Sequence, residues 1–278
     1  MKKIQIYIAI IITLFTLVSC EDVVDVKLDT ANPKLVIDAV INWQKGSTGN
    51  EQKIKLSTTT NFYSDIIPPA TGATVSIINT SSPLAVIYIF NEIDATGEYV
   101  CNSFTPIIGD NYKLTIKYQG QTYTSTATLL ATPAIENIEQ TLVAGFGGNE
   151  VIQVKFFYQD NGNEVNNYLV GFKNSKKAFP EYGVVKDEFF QGNLMFGLYI
   201  DEELKKDDVL NLSVQGISEK YSNYMTKLLS IAGGTGGSPF ATPPATLRGN
   251  IVNQTNAANY PLGYFHLSEI DSSTYIVQ

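Results

Sequence analysis

The sequence predicts a mainly β protein: an N-terminal immunoglobulin-like β-sandwich, then a second β-rich domain carrying one amphipathic helix. Three observations predict it. From residue 35 onward apolar and polar residues alternate, as they do on a strand whose two faces meet different surroundings. The alternating runs are short and rich in Val, Ile, Thr and Tyr, with Gly, Pro, Asn and Ser clustered between them. One segment, 217–232, abandons the period of two for helical spacing.

The first domain is expected over 34–131. Its strands are LVIDAVIN (35–42), KIKLSTTT (53–60), ATVSIINT (73–80), AVIYIFNE (85–92) and GEYVCN (97–102), followed by GDNYKLTIKYQGQTYTSTATLL (109–130). In that last run Tyr112, Leu114 and Ile116 alternate with polar residues and Gln119-Gly120 supplies a turn, so it reads as a hairpin with one buried and one wet face. Seven strands within about 100 residues fit a sandwich. The Cys…Trp…Cys core of antibody domains is absent, so only the broad architecture follows.

Ala131-Thr132-Pro133 marks the expected boundary, with the second domain over 132–278. IENIEQTLV and EVIQVKFFYQDNGNEVNNYLVGFKN read as strands, the latter pair joined as a hairpin at Asn161-Gly162. FFQGNLMFGLYI, DVLNLSVQGI, LRGNIV, LGYFHLSEI and TYIVQ read as further strands. In 217–232, Ile217, Tyr221, Tyr224, Leu228, Leu229 and Ala232 share a helix face, Ser218 caps its start and Gly233-Gly234 stops it. A glycine-rich loop, 233–244, follows.

The N-terminus carries an address. Lys2 and Lys3 precede a run from Ile4 to Val18 that is apolar apart from Gln5, Tyr7, Thr13 and Thr16, a length that suits a signal peptide better than a membrane span. It closes on Leu17-Val18-Ser19-Cys20, which resembles the bacterial lipobox. Residues 1–19 are then a lipoprotein signal peptide, Cys20 the lipidation site and 20–33 an acidic tether. Glu21 and Asp22 follow at once; acids here resemble the surface-export signal of lipoproteins of the Bacteroidota, whereas in enteric bacteria they accompany inner-membrane retention. The expected location is the outer membrane, facing outward, with the periplasmic face as the alternative.

Composition excludes several functions. Removing residues 1–19 takes away two lysines and no acid, leaving 17 basic against 27 acidic residues, a net charge of −10. Such a chain has no broad attraction for nucleic acid or anionic head groups. With Cys20 lipidated only Cys101 remains, so no intramolecular disulfide forms, and with His266 as the one histidine a Cys/His zinc site cannot be assembled.

Catalytic motifs are wanting. No G-x-S-x-G or S-x-x-K accompanies His266, which falls in a strand. The 233–237 glycines lack the Lys-Ser/Thr of a phosphate loop. Asp160-Asn-Gly-Asn-Glu164 hints at calcium, but a turn explains it better. The acids Asp201, Glu202, Glu203, Asp207 and Asp208 read as a charged surface turn. Trp43, Phe62, Tyr63, Phe189, Phe190 and Phe240 could stack on a sugar or peptide. The sequence therefore assigns no catalytic, cofactor-binding or metal residues.

The order of CED, NPKLVIDAVIN, GDNYKLTI and SPFATPPATLRGNI…LGYFHLSEI resembles a lipoprotein family of the Bacteroidota that carries only a domain-of-unknown-function name. Members are usually encoded beside TonB-dependent outer-membrane receptors. The resemblance implies an anchored, non-enzymatic accessory to such a receptor, taking a small-molecule, glycan or peptide ligand, with contacts sought around 233–244. The alternatives are a free-standing adhesin or spacer, and a hydrolase using a carboxylate pair at 201–208.

Overall fold

A computed structural model describes residues 32–61, 64–145, 147–232 and 247–278, in which Pro33–Thr60 and Ser64–Gln278 form one compact unit. Cys20, the tether before residue 32 and the 233–246 segment lie outside the described residues, as do Phe62, Tyr63 and Phe240.

The fold is mainly β with one helix among the described residues. Its strands are β1 (Leu35–Gln44), β2 (Gln52–Thr58), β3 (Thr74–Asn79), β4 (Ile87–Ile93), β5 (Glu98–Cys101), β6 (Asn111–Tyr118), β7 (Gln121–Leu130), β8 (Ile135–Ala144), β9 (Glu150–Gln159), β10 (Asn167–Asn174), β11 (Glu181–Lys186), β12 (Leu194–Ile200), β13 (Val209–Ile217), β14 (Val252–Asn253) and β15 (Leu262–Ile276); α1 spans Glu219–Ala232. Twelve strands run in the order β11-β10-β13-β15-β1-β2-β5-β4-β3-β6-β7-β14, and a β7–β15 pairing closes the eight strands from β15 round to β7. β12, β9 and β8 make a separate three-stranded sheet.

Alternation builds the first core. Leu35, Ile37, Ala39 and Ile41 of β1 point inward with Ile54 and Leu56 of β2, Tyr112, Leu114 and Ile116 of β6, and Phe265 and Leu267 of β15. The β6–β7 hairpin turns at Gln119 and Gly120, which both take positive φ (46° and 72°), as a tight two-residue turn requires. A second core lies between the three-stranded sheet and β10/β13: Val154, Phe156 and Tyr158 meet Tyr168, Val170, Phe172, Leu210, Leu212 and Val214.

β15 serves both cores. It runs parallel to β1, with Ala39 opposite Phe265, and antiparallel to β13, with Leu210 opposite Tyr275. The boundary expected at 131–132 falls in the β7–β8 connection, and Ile251, Phe265 and Leu267 from beyond it sit in the first core. That connection is tied down: the Thr132 hydroxyl donates to Glu269 O (2.6 Å) and accepts from Gly216 N (2.6 Å), while Lys45 Nζ reaches both Thr132 O and Glu269 Oε2 at 2.8 Å.

Two sequence expectations change. Asn161-Gly162 is a turn but not a hairpin, because β9 pairs with β8 and β12 while β10 pairs with β11 and β13. Neither turn residue takes the positive φ of a type I′ hairpin. Asp160 redirects the chain instead: its buried carboxylate accepts from the Tyr168 hydroxyl (2.5 Å) and from Gly192 N (2.7 Å). LGYFHLSEI and TYIVQ form one strand, β15, because Asp271 and its serines sit in a continuous ladder with β13.

Candidate functional site

The site grows from the outer face of β1. Its odd residues fill the first core, so Val36, Asp38, Val40 and Asn42 face the other way, alongside Lys53 and Lys55 of β2. Register places Asp38 opposite Lys55 on one side and Tyr264 of β15 on the other. Gly263 is what lets β15 lie this close: its φ is 96°, and a Cβ there would come within 2.0 Å of Ile37 O.

Helix α1 forms the facing wall. Ser218 Oγ accepts from Tyr221 N at 3.2 Å, the cap the sequence indicated, and the helix starts at Glu219. Its apolar stripe of Tyr221, Tyr224, Met225, Leu228 and Leu229 packs on Leu169, Val184, Ile217 and Tyr264. Between helix and sheet remains an open cleft of about 630 Å³, whose lining includes Asp38, Lys55, Tyr182, Gln215, Tyr221, Tyr224 and Tyr264.

Tyrosine dominates that wall. The Tyr264 ring lies 4.8 Å from Tyr221 and 4.7 Å from Tyr224 between centroids, tilted against both. No hydrogen bond among the described residues involves the hydroxyls of Tyr182, Tyr221, Tyr224 or Tyr264, and the buried Gln215 Oε1 has no partner either. Burial first, then the Asp38 charge, pushes the Tyr221, Tyr182 and Tyr224 phenols above their ordinary range, so all three keep their protons at neutral pH. Asp38 is open at the cleft yet crowded by these rings. Burial lifts its carboxyl above the usual range against the opposing pull of Lys55. Free phenols and a carboxylate around one cleft equip it to bind.

Beneath the wall lies His266, 2% exposed and stacked on Tyr221 at 4.2 Å, with Nε2 unpartnered. Burial pushes its imidazole down to about 3. The unfolded ring titrates near 6.5, so between about pH 6.5 and pH 3 the unfolded chain binds a proton that the folded chain refuses. Stability should therefore fall as pH drops through that window. Urea titrations should show wild type losing about 3 kcal/mol more than His266→Phe by pH 4.5; parallel losses in the two proteins would contradict the buried neutral ring.

A second cavity of about 500 Å³ lies between the β7–β8 connection, the 159–168 turn and the start of α1. Near it Asp187 is wholly buried with Oδ2 accepting from Asn166 N (2.8 Å) and Oδ1 unpartnered. Among the described residues no group of three or more His, Cys, Asp or Glu is placed to hold a metal.

The residues singled out in the sequence disperse. Asp201 and Asp208 are bound by Lys177 and Lys176, and none of the five acids at 201–208 lines either cavity. In 160–164, Asn161 Oδ1 accepts from Asn163 N, closing a turn. Trp43 packs against the first core, and Phe189 and Phe190 stand exposed away from the cleft. From the sequence Tyr221 and Tyr224 read as a helix face and Tyr264 as a strand residue, and Tyr182 falls in no predicted element. The signal that could have found them is the pairing of Tyr221 and Tyr224 on that face with Asp38, a charge inside the apolar run LVIDAVIN.

The family model for a domain of unknown function, DUF4249, matches residues 21–274. The chain belongs to this family. The match spans both cores and the cleft between α1 and β1. No curated protein matches the chain. Similar solved structures include two fibronectin type-III domains of chicken tenascin, at 11% identity, covering 67% of this chain and 91% of that one with a TM-score of 0.22. The FN1–FN3 domains of chicken CNTN1 match at 10%, covering 70% and 64%, TM-score 0.26. A cytokine receptor complex matches at 9%, covering 65% and 89%, TM-score 0.24.

Proposed function

We propose that this protein is a binding module of a bacterial cell envelope, held to the outer membrane by lipid on Cys20, that captures a ligand for a TonB-dependent transporter. The observation that carries the reading is the tyrosine-walled cleft, where hydrogen-bonding groups stand unused around about 630 Å³ of open space. The sequence supports the anchor through Leu17-Val18-Ser19-Cys20 and the outward orientation through Glu21 and Asp22. A membrane-tethered module raises the local concentration of ligand at its transporter without tight intrinsic affinity. Among the described residues no helix is long and apolar enough to cross a membrane. Attachment in this reading is by the acyl chains on Cys20.

A partner reading draws on β12. This strand is an edge of the three-stranded sheet, and Leu194, Phe196, Leu198 and Ile200 stand in an exposed row along it. Exposed apolar edge strands are surfaces that other chains pair with. The test is affinity purification of the tagged, lipidated protein from gently solubilised outer membranes. A stoichiometric TonB-dependent receptor is the expected companion. Its absence, in a detergent that preserves known transporter complexes, would turn the reading to a free-standing surface protein.

A further inference from the structure

We infer that the cleft selects ligands bearing an organic ammonium or guanidinium group, which Asp38 receives among the tyrosine rings. This rests on the reading of the cleft as the ligand site and goes further by naming the chemistry it takes.

The inference begins with what the cleft leaves unmatched. Asp38 makes no ion pair within 4.0 Å among the described residues, although it faces the cleft. The phenol oxygens of Tyr182, Tyr221, Tyr224 and Tyr264, which line the same cleft, have no hydrogen-bond partner among the described residues. Asp38 accepts with a negative charge, and the phenol oxygens can accept beside it. A ligand of matching character donates, and carries positive charge.

The rings agree with this. Tyr264 is tilted against Tyr221 and Tyr224 at 4.8 and 4.7 Å, those two rings are stacked at 6.2 Å, and Tyr182 is 40% exposed on β11. Aromatic faces attract ammonium and guanidinium ions, and do so most when water is partly excluded. Phenol oxygens without partners add acceptors to the same wall.

The two lysines do not reverse the balance. Lys53 is spent on Glu98, with Nζ and Oε2 2.9 Å apart. Lys55 lies opposite Asp38 in the β1–β2 register and makes no ion pair within 4.0 Å among the described residues, so it tempers the carboxylate without neutralising it. Its ammonium stands where a ligand's own carboxylate could reach, which suits amino-acid or peptide amines. The mature charge of −10 adds a long-range pull on cations.

The test uses three probes of one shape with the lipidated full-length protein in detergent: phenethylamine as the cation, phenethyl alcohol as the neutral and hydrocinnamate as the anion. Saturation-transfer NMR would measure binding to wild type, Asp38→Asn and Tyr182→Ala, each checked for an unchanged melting temperature. Phenethylamine is expected to bind wild type at least about tenfold more tightly than the other two probes, and Asp38→Asn to erase that preference. Tyr182→Ala should weaken the amine more than the alcohol, narrowing but not erasing the preference that Asp38 carries. Equal binding of alcohol or acid, or a preference that survives Asp38→Asn, would overturn the ammonium assignment while leaving the cleft a binding site. Failure of all three probes to bind would overturn both.

Discussion

Phe265→Ala should destabilise the protein by about 3–5 kcal/mol, the range for removing a large aromatic from a packed core. Phe265 is fully buried on β15, in register with Ala39 of β1, inside the first core. The lost ring leaves a void whose walls are strands of a closed sheet, so little relaxation is available to fill it. β15 also reaches the second core through Tyr275, with Val277 just past its end, which couples the two halves. A single unfolding transition shifted down by about 10 °C or more is therefore expected in a thermal melt. Two separate transitions, with only the first displaced, would mean that β15 does not bind the halves into one cooperative unit.

Cys20→Ala should abolish lipid anchoring. The sulfur of Cys20 is the expected acceptor of the first acyl chain, and alanine offers no atom to carry it. A single chain gives only marginal attachment, so stable anchoring needs the two or three that lipoprotein processing supplies. The variant should remain as the uncleaved precursor and incorporate no labelled palmitate in growing cells. Palmitate incorporation equal to wild type would place the lipid elsewhere and remove the anchor from the account.

The strands were legible because period two leaves a direct trace: β3, β5, β6 and β7 fall within the runs read from alternation, β1 outruns its own by two residues, and the Ser218 cap marked the helix start within one residue. What escaped was non-local. Nothing in LGYFHLSEI announces that Phe265 will pair beside Ala39, more than two hundred residues earlier in the chain, because a parallel partner is chosen by the whole sheet. The Asn161-Gly162 turn misled for a related reason. A dipeptide signals reversal but not which sheet the next strand joins; here Asp160 bonds to Gly192 while β10 pairs with β11 and β13. EYGVVK is too short and too interrupted by Gly183 to stand out, yet it supplies Tyr182 to the cleft.

The candidate site was the least legible part. Its tyrosines come from β11, α1 and β15, and each alone is an ordinary core or sheet-face residue. Only the fold brings them to Asp38. The one local hint was the charge itself, since a carboxylate amid β-branched residues on a strand must face outward from the core that its neighbours fill.

The most direct measurement is native mass spectrometry of the lipidated protein released from outer membranes of cells grown in rich medium, comparing wild type with the double variant Tyr182→Ala/Tyr224→Ala. The account predicts a small-molecule adduct on wild type that is absent from the variant, with both proteins folded. An adduct retained in full by the variant, or none on either protein, would contradict the claim that this cleft is where the protein does its work.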